Sequence, residues 1–234
     1  LVTLTSHGPF QYVPVAERSL VLGAIESTEF GGYLHSMRYE DEAVELLFER
    51  LEAAGLLANT TVVIYGDHDS RMRFPAFLAE GVELSKDILR LISERDYTTK
   101  QIPLFIVLPP EKKRPAGTVS TLGGHVDVGP TLLYLYGLPR PRSFIGQSLL
   151  PARPGHALRV DGSAVDEQRI YVATNGGRCE SFPEFALRPL EECEALARAA
   201  RSELDVSWSV TLSDLASELA GKRPAVSRAA RSLH

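Results

Sequence analysis

The sequence predicts an α/β fold with a mostly parallel central sheet flanked by helices. Two runs, 60–65 (TTVVIY) and 102–108 (IPLFIVL), are nearly continuous in apolar and β-branched residues. Such runs are typical of strands that are covered on both faces. Segments with a helical repeat of apolar residues lie around them, so buried strands alternate with amphipathic helices. That alternation favours layers of helices packed on a sheet.

The longest predicted helix covers residues 33–54, and Gly55 follows it as a stop. Its apolar stripe consists of Tyr33, Met37, Val44, Leu47, Leu51 and Ala54. His35 falls in its first turn and is expected at the surface. Further helices are predicted at 87–94, 127–136 (with Pro130 in the first turn), 190–204 and 210–219, and further short strands at 1–5 and 169–174.

The predicted domain organisation has one large and one small part. Residues 1–150 form the main α/β domain, and the proline-rich stretch 139–154 leads into a small C-terminal subdomain at 151–221. The last residues, 222–234, show no periodicity and are expected to form a loose tail. The sequence contains no internal repeat.

Composition excludes several classes of protein. Of the 234 residues, 44% are apolar and 24% are charged, as in an ordinary soluble domain. A net charge of -5 argues against nucleic-acid binding, which requires a basic face. No apolar run reaches the roughly 20 residues of a transmembrane helix, and no signal peptide is recognisable. Because Leu1 falls inside a predicted strand, we expect the chain to be a piece of a longer protein.

The strongest chemical motif is Tyr65-Gly66-Asp67-His68-Asp69, directly after the first buried strand. Ligands bind at the carboxyl ends of strands in open α/β sheets, and Gly66 permits a sharp turn there. The turn can direct Asp67 and His68 to one point, where a carboxylate with an imidazole suits zinc or manganese better than calcium. The alternative is structural: Asp67 caps a turn and His68 bonds a backbone carbonyl. The residues leave both interpretations open.

Two other histidines lie in loops where they could act on a substrate. His7 follows a predicted strand end and could bind an oxyanion or protonate a leaving alkoxide. His125 follows Gly123-Gly124 and precedes a predicted helix, an arrangement that favours anions. In each case an ordinary structural histidine is the alternative. His156 and His234 lie in irregular segments and receive no role.

Three ordered blocks resemble the lipoteichoic acid synthase and phosphoglycerol transferase group of sulfatase-like enzymes, in the alkaline phosphatase superfamily. The blocks are 3–10 (TLTSHGPF), 32–43 (GYLHSMRYEDEA) continuing through 55–60 to Asp67-His68, and 102–104 continuing through 123–127 (GGHVD) to 130–133 (PTLL). Their order and spacing match the C-terminal half of that catalytic domain, from residue 1 to about residue 150.

The resemblance implies roles for several residues. Asp67 and His68 would be ligands of Mn²⁺ or Zn²⁺, and His7 would contact the transferred group or its acceptor. The family's threonine nucleophile and a further acidic ligand precede the point where this chain begins. The family position at His125 varies and is often an amide residue, so the resemblance assigns it no role.

The implied activity is a phosphoglycerol-type transfer to or from a membrane lipid or glycan through a covalent threonine intermediate. The alternatives are a sulfatase or phosphodiester hydrolase on the same fold, and a non-catalytic remnant that binds an anion or a partner. The resemblance also implies an extracytoplasmic, membrane-anchored full-length protein. Its partners would be an anionic lipid or glycan and the missing N-terminal half.

The two cysteines, Cys179 and Cys193, lie 14 residues apart. An even count in the oxidising compartment that the resemblance implies favours a disulfide. Two unrelated small residues are the alternative, and a metal site is disfavoured because neither cysteine has a partner at finger-like spacing.

Overall fold

The computed structural model of the chain describes residues 2–68, 101–110, 117–150 and 153–213. The chain divides into two units, Leu1–Pro115 and Ala116–His234, each with its own internal contacts. The boundary predicted after residue 150 therefore falls inside the second unit, and the predicted domain organisation stays a prediction. The predicted helix 87–94 and the predicted tail 222–234 lie outside the described residues.

Helix α1 (Glu29–Ala53) dominates the first unit. It begins four residues before the predicted start because Thr28 caps it: the Thr28 Oγ1 atom accepts the Gly31 N–H at 3.0 Å. It ends at Ala53, one residue before the predicted end, and Gly55 follows as the predicted stop: its φ of +67° lets the Leu56 N–H turn back to the Leu51 carbonyl at 2.9 Å.

The buried face of α1 consists of small and polar residues rather than of the predicted apolar stripe. Its buried residues are Gly31, Gly32, His35 and Ser36, whereas the stripe is only half-buried and ends at an exposed Ala54. The expectation for His35 was wrong, since it is 2% exposed and its Nε2 atom lies 2.8 Å from Glu26 Oε1. The hydrogen bond with His35 holds the pKa of the Glu26 carboxyl below its ordinary value of 4.5.

Strand β1 (Val62–Tyr65) pairs with β2 (Leu104–Val107), at the two places where the sequence predicts buried strands. The pairing is antiparallel, with Val62 opposite Val107 and Tyr65 opposite Leu104. Every other pairing among the described strands is also antiparallel, so the expected mostly parallel arrangement is not seen in the described part. Exposed and half-buried residues alternate along β2, as in a sheet covered on one face only.

The predicted strand at 1–5 is absent from its described part, residues 2–5. Val2 and Leu4 are exposed, and the Leu4 carbonyl accepts the His7 N–H at 3.2 Å in a turn. A β-like composition forms a strand only where a partner strand takes up its backbone hydrogen bonds. Here the turn takes up one of them instead.

The second unit contains helix α2 (Val128–Leu135), an antiparallel sheet and helix α3 (Glu194–Leu212). The five strands, in spatial and chain order, are β3 (His156–Leu158), β4 (Ala164–Asp166), β5 (Arg169–Val172), β6 (Arg178–Ser181) and β7 (Leu187–Arg188). Only β5 matches a predicted strand. Asn175-Gly176 joins β5 to β6 with φ values of 54° and 86°, and the Gly177 N–H bonds the Thr174 carbonyl, which makes a tight hairpin.

Helix α3 covers the sheet; it begins four residues after the start of the helix predicted at 190–204 and continues without a break to Leu212. Of the helix predicted at 210–219, residues 214–219 lie outside the described residues. Leu196 and Ala200 pack on Ala164 of β4, with Leu158 and Tyr171 at the edges of the cluster. Among the described helices, none combines the length and the apolar character needed to cross a membrane.

A disulfide joins the sheet to the start of α3, as the sequence predicts. Cys179 lies on β6, and Cys193 ends the helical turn that precedes α3; their Cα atoms are 5.6 Å apart and both residues are buried. The bridge closes a short excursion that contains β7. It therefore fastens β6 to the helix that covers the sheet.

Replacing both cysteines by serine should lower the free energy of unfolding by about 3 kcal/mol, the value expected for a loop of this length. Urea denaturation of the oxidised wild type and of the double variant measures the difference. The reduced wild type serves as the control and should match the variant. Two free thiols in protein secreted to an oxidising compartment, detected by non-reducing mass spectrometry, would contradict the predicted pairing.

Candidate active site

Gly66 follows β1 directly, and the chain bends at the next two residues, Asp67 and His68. The Gly66 N–H donates to the Pro103 carbonyl at 3.1 Å, so the pairing with the second strand continues past Tyr65. A Cβ atom at Gly66 would lie 3.1 Å from Ile102 Cβ and 3.3 Å from Pro103 Cδ, tighter than ordinary side-chain contact. A larger residue at this position would require Ile102 and Pro103 to move by a few tenths of an ångström, so glycine suits the close approach of the neighbouring segment.

Asp67 and His68 lie side by side at the end of this strand. The His68 N–H donates to Asp67 Oδ1 at 2.9 Å, and Asp67 Oδ2 lies 3.8 Å from His68 Nε2. Their side chains are 81% and 48% exposed. The bend thus places a carboxylate oxygen and an imidazole nitrogen 3.8 Å apart. The bond from the His68 N–H to Asp67 Oδ1 is also the kind of contact that the structural alternative predicts.

This donor set fits a divalent transition metal. Zinc takes carboxylate oxygen and histidine nitrogen at about 2.0–2.2 Å, which places two ligand atoms roughly 3.3 Å apart on a tetrahedral ion. The observed 3.8 Å needs only a small side-chain rotation to reach that spacing. Within the described ranges, no cluster of three His, Cys, Asp or Glu residues could hold a metal ion. The assignment of Asp67 and His68 as ligands stays a prediction.

His7 lies in a compact exposed loop of the same unit. Its Nδ1 atom is 2.6 Å from the Gly8 carbonyl oxygen. A carbonyl accepts only, so Nδ1 carries the proton and the Nε2 of a neutral ring is left as the acceptor. The loop therefore orients the ring, because the Nδ1–H is engaged in a hydrogen bond within the loop.

His125 belongs to the second unit, in a helical turn (His125–Asp127) that leads into α2. It is exposed and lines a cavity of about 380 Å³ together with Arg140, His156 and Glu203. His156, which receives no role from sequence, is 2.6 Å from Glu203 and so ties β3 to α3. The tentative catalytic role of His125 stays a prediction.

Asp127 is the residue for which the glycine-rich turn is shaped, and sequence analysis missed it. It is 4% exposed, and its two carboxylate oxygens accept the Gly124 N–H at 2.8 Å and the Gln147 N–H at 2.7 Å. A Cβ atom at Gly123 or Gly146 would come within 2.7 or 2.8 Å of that carboxylate. Gly123 and Gly146 thus leave space for the Asp127 carboxylate. An acid just before a helix with Pro130 in its first turn was the available sequence signal.

An exposed carboxylate–imidazole pair at a strand end of an α/β fold is the kind of site that metal-dependent enzymes of ester chemistry use. The sulfatase family model matches residues 1–138, more than half of the chain. The chain belongs to the sulfatase family.

The named proteins that are similar to this chain belong to a narrower group than the sulfatase family as a whole. Lipoteichoic acid synthase 1 of Bacillus subtilis (strain 168) is 34% identical over 227 residues, which are 92% of this chain and 32% of that protein. Lipoteichoic acid synthase of Staphylococcus aureus (strain USA300) is 29% identical over 138 residues, 59% of this chain and 20% of that protein. The chain thus spans about a third or less of the length of these relatives.

A solved structure of this group confirms the fold class. The lipoteichoic acid synthase LtaP from Listeria monocytogenes superposes with a TM-score of 0.71 at 19% identity, over 88% of this chain and 52% of that one. At this identity the likeness concerns the fold alone. The predicted alkaline phosphatase-like α/β class is correct.

Replacing Asp127 by alanine should lower the free energy of unfolding by about 3 kcal/mol, because two backbone N–H groups lose a charged acceptor. Asp127→Asn keeps one acceptor oxygen and should cost less. Urea denaturation measures both variants, with Asp205→Ala as a control at an exposed acid of α3. An Asp127→Ala variant as stable as this control would show that the carboxylate has another purpose.

Proposed function

We propose that this chain is the C-terminal part of the catalytic domain of a metal-dependent phosphoglycerol-type transferase that acts on a membrane lipid or glycan. The observation that carries the proposal is the exposed Asp67–His68 pair, with Asp67 Oδ2 and His68 Nε2 3.8 Å apart at the end of β1. Membership of the sulfatase family and the names of the curated relatives support it.

Asp67 and His68 would hold Mn²⁺ or Zn²⁺ together with ligands from outside this chain. Bound there, the ion would lower the pKa of a coordinated hydroxyl and offset charge on the phosphoryl oxygens. His68 must be neutral and Asp67 ionised to serve as ligands.

His7 would donate a proton to the leaving alcohol and later accept one from the acceptor hydroxyl. The threonine that attacks phosphorus belongs to the preceding part of the full-length protein. As the deprotonated threonine oxygen bonds to phosphorus, the bond to the leaving alcohol breaks, and His7, protonated on both ring nitrogens at this step, gives that alcohol its Nε2 proton and becomes neutral. In the second step, His7 Nε2 takes the proton of the acceptor hydroxyl as that oxygen displaces the threonine.

A sulfatase or phosphodiester hydrolase is the second candidate. The observation that favours it is the sulfatase family model itself, whose match covers residues 1–138. The same residues would serve, with water replacing the acceptor alcohol in the second step. Product analysis distinguishes the two: the transferase forms a new ester on the acceptor, whereas the hydrolase releases the free acid.

We place the full-length protein outside the cytoplasm, anchored to the membrane, with an anionic lipid or glycan as its substrate. The disulfide between Cys179 and Cys193 supports an oxidising compartment. The part of the protein that precedes this chain is its necessary partner, because the nucleophile and the remaining metal ligand lie there.

The metal assignment is tested on protein that includes the preceding part. The Asp67→Ala, His68→Ala double variant should lose manganese or zinc, measured by elemental analysis after dialysis, because two ligands have gone. Asp205→Ala is the matched control and should retain wild-type metal content. Wild-type metal content in the double variant would refute the site.

Activity is the second test. This chain alone should not turn over phosphodiester or sulfate ester substrates, and adding the preceding part should restore turnover. In the restored enzyme His7→Ala should lower the rate by about 10²–10⁴-fold, as for other acid–base groups. Robust turnover by the isolated chain that disappears in His68→Ala would show that the nucleophile lies within it.

A further inference from the structure

We propose that helix α1 positions His7 by holding its loop at both ends: Glu40 holds Thr3 before it, and Gly32 with Tyr33 holds Phe10 after it. This inference rests on the proposed function, in which His7 moves a proton. Glu40 and Gly32 are positioning residues, because each acts through the loop and not on the substrate.

The loop leaves His7 little freedom of its own. The His7 N–H bonds the Leu4 carbonyl at 3.2 Å, and the Phe10 N–H bonds the His7 carbonyl at 3.1 Å. The ring is tied to the same backbone through Nδ1 and the Gly8 carbonyl at 2.6 Å. The position of the imidazole therefore follows from the positions of the two loop ends.

The end of the loop at Phe10 packs against the backbone of α1 at Gly32. Phe10 is 3% exposed, and its ring meets the Tyr33 ring edge to face at a centroid distance of 5.3 Å. Its carbonyl lies against Gly32, where a Cβ atom would come within 2.6 Å of the oxygen. Phe10 has a φ of +60°, which costs free energy in a residue with a side chain and persists only where the surroundings impose it.

The first end is held by a carboxylate. Thr3 Oγ1 donates to Glu40 Oε1 at 2.7 Å. The other carboxylate oxygen, Glu40 Oε2, is buried and has no hydrogen-bond partner among the described residues. Burying one carboxylate oxygen without a partner is unfavourable, although the other oxygen lies at the surface with Thr3. The hydrogen bond to Thr3 accounts for a carboxylate at this position.

The helix acts as a rigid spacer between the two contacts. Gly32 and Glu40 lie eight residues apart in α1, about 12 Å along its axis at 1.5 Å per residue. Because catalysis is sensitive to displacements near 1 Å, a change at either contact should reach the reaction through His7.

The experiment uses the protein that includes the preceding part and compares Gly32→Ala, Glu40→Met and Glu40→Gln, with Glu45→Ala as an exposed control on the same helix. Gly32→Ala and Glu40→Met should lower kcat about 10- to 100-fold with wild-type metal content. Glu40→Gln keeps an acceptor for Thr3 and should retain most of the activity, and Glu45→Ala should match wild type.

Measurements of Tm and of the His7 imidazole signal distinguish a loss of positioning from a loss of folding. Tm should be unchanged or higher in Glu40→Met, which removes the unpaired oxygen. In Gly32→Ala the gain in helix propensity offsets only part of the cost of the contact with the Phe10 carbonyl. Nitrogen-15 labelling of histidine should show a shifted His7 imidazole signal in both variants and an unshifted one in Glu45→Ala. A kcat loss that only follows a loss of Tm would overturn the proposal.

The same data separate this proposal from the proposed function. Unshifted His7 signals in Gly32→Ala and Glu40→Met overturn the positioning role, whatever the activity. Shifted signals together with full activity of His7→Ala overturn the role of His7 in the proposed function and leave the positioning intact. If Gly32→Ala fails to fold, the comparison of Glu40→Met with Glu40→Gln decides whether the positioning role is correct.

Discussion

The hydrogen bond from Gly66 to Pro103 is the interaction on which the candidate metal site depends. It carries the antiparallel pairing of β1 and β2 past Tyr65, so the chain cannot leave the sheet until Asp67. Because Gly66 lacks a side chain, the strand end can approach Ile102 and Pro103 closely. The strand end that leads into both candidate ligands is therefore held by a segment far along the chain.

Helix α1 has a comparable role on the side of His7, and it fulfils it with small residues. Gly32 lets Phe10 lie directly against the helix backbone, and Gly31 does the same for Ile25 and Glu26. The Ser36 hydroxyl donates to the Gly32 carbonyl at 2.9 Å, so its burial leaves no unpaired donor. Shape rather than hydrophobicity fits this face to its neighbours, which is why an apolar stripe was a poor guide to it.

Most of the candidate site residues lie in the first unit, whereas the disulfide and the buried Asp127 carboxylate lie in the second. Asp67, His68 and His7 belong to the first unit, whereas the disulfide, the antiparallel sheet and the buried Asp127 carboxylate stabilise the second. The second unit contains only His125 among the candidate site residues. Sulfatase family membership rests on residues 1–138, a range that includes all four candidates.

The sequence by itself determined the α/β class, the places of β1, β2 and α1, the Asp67–His68 motif and the cysteine pair. These follow from local signals: β-branched runs, helical spacing, a glycine after a strand, and an even cysteine count. Only the tertiary structure decided the antiparallel pairing, the burial of His35, and the conversion of Asp127 into an acceptor for two backbone N–H groups. Those features depend on which distant segment lies opposite each residue, and hydrophobic periodicity along one chain carries no information about that partner.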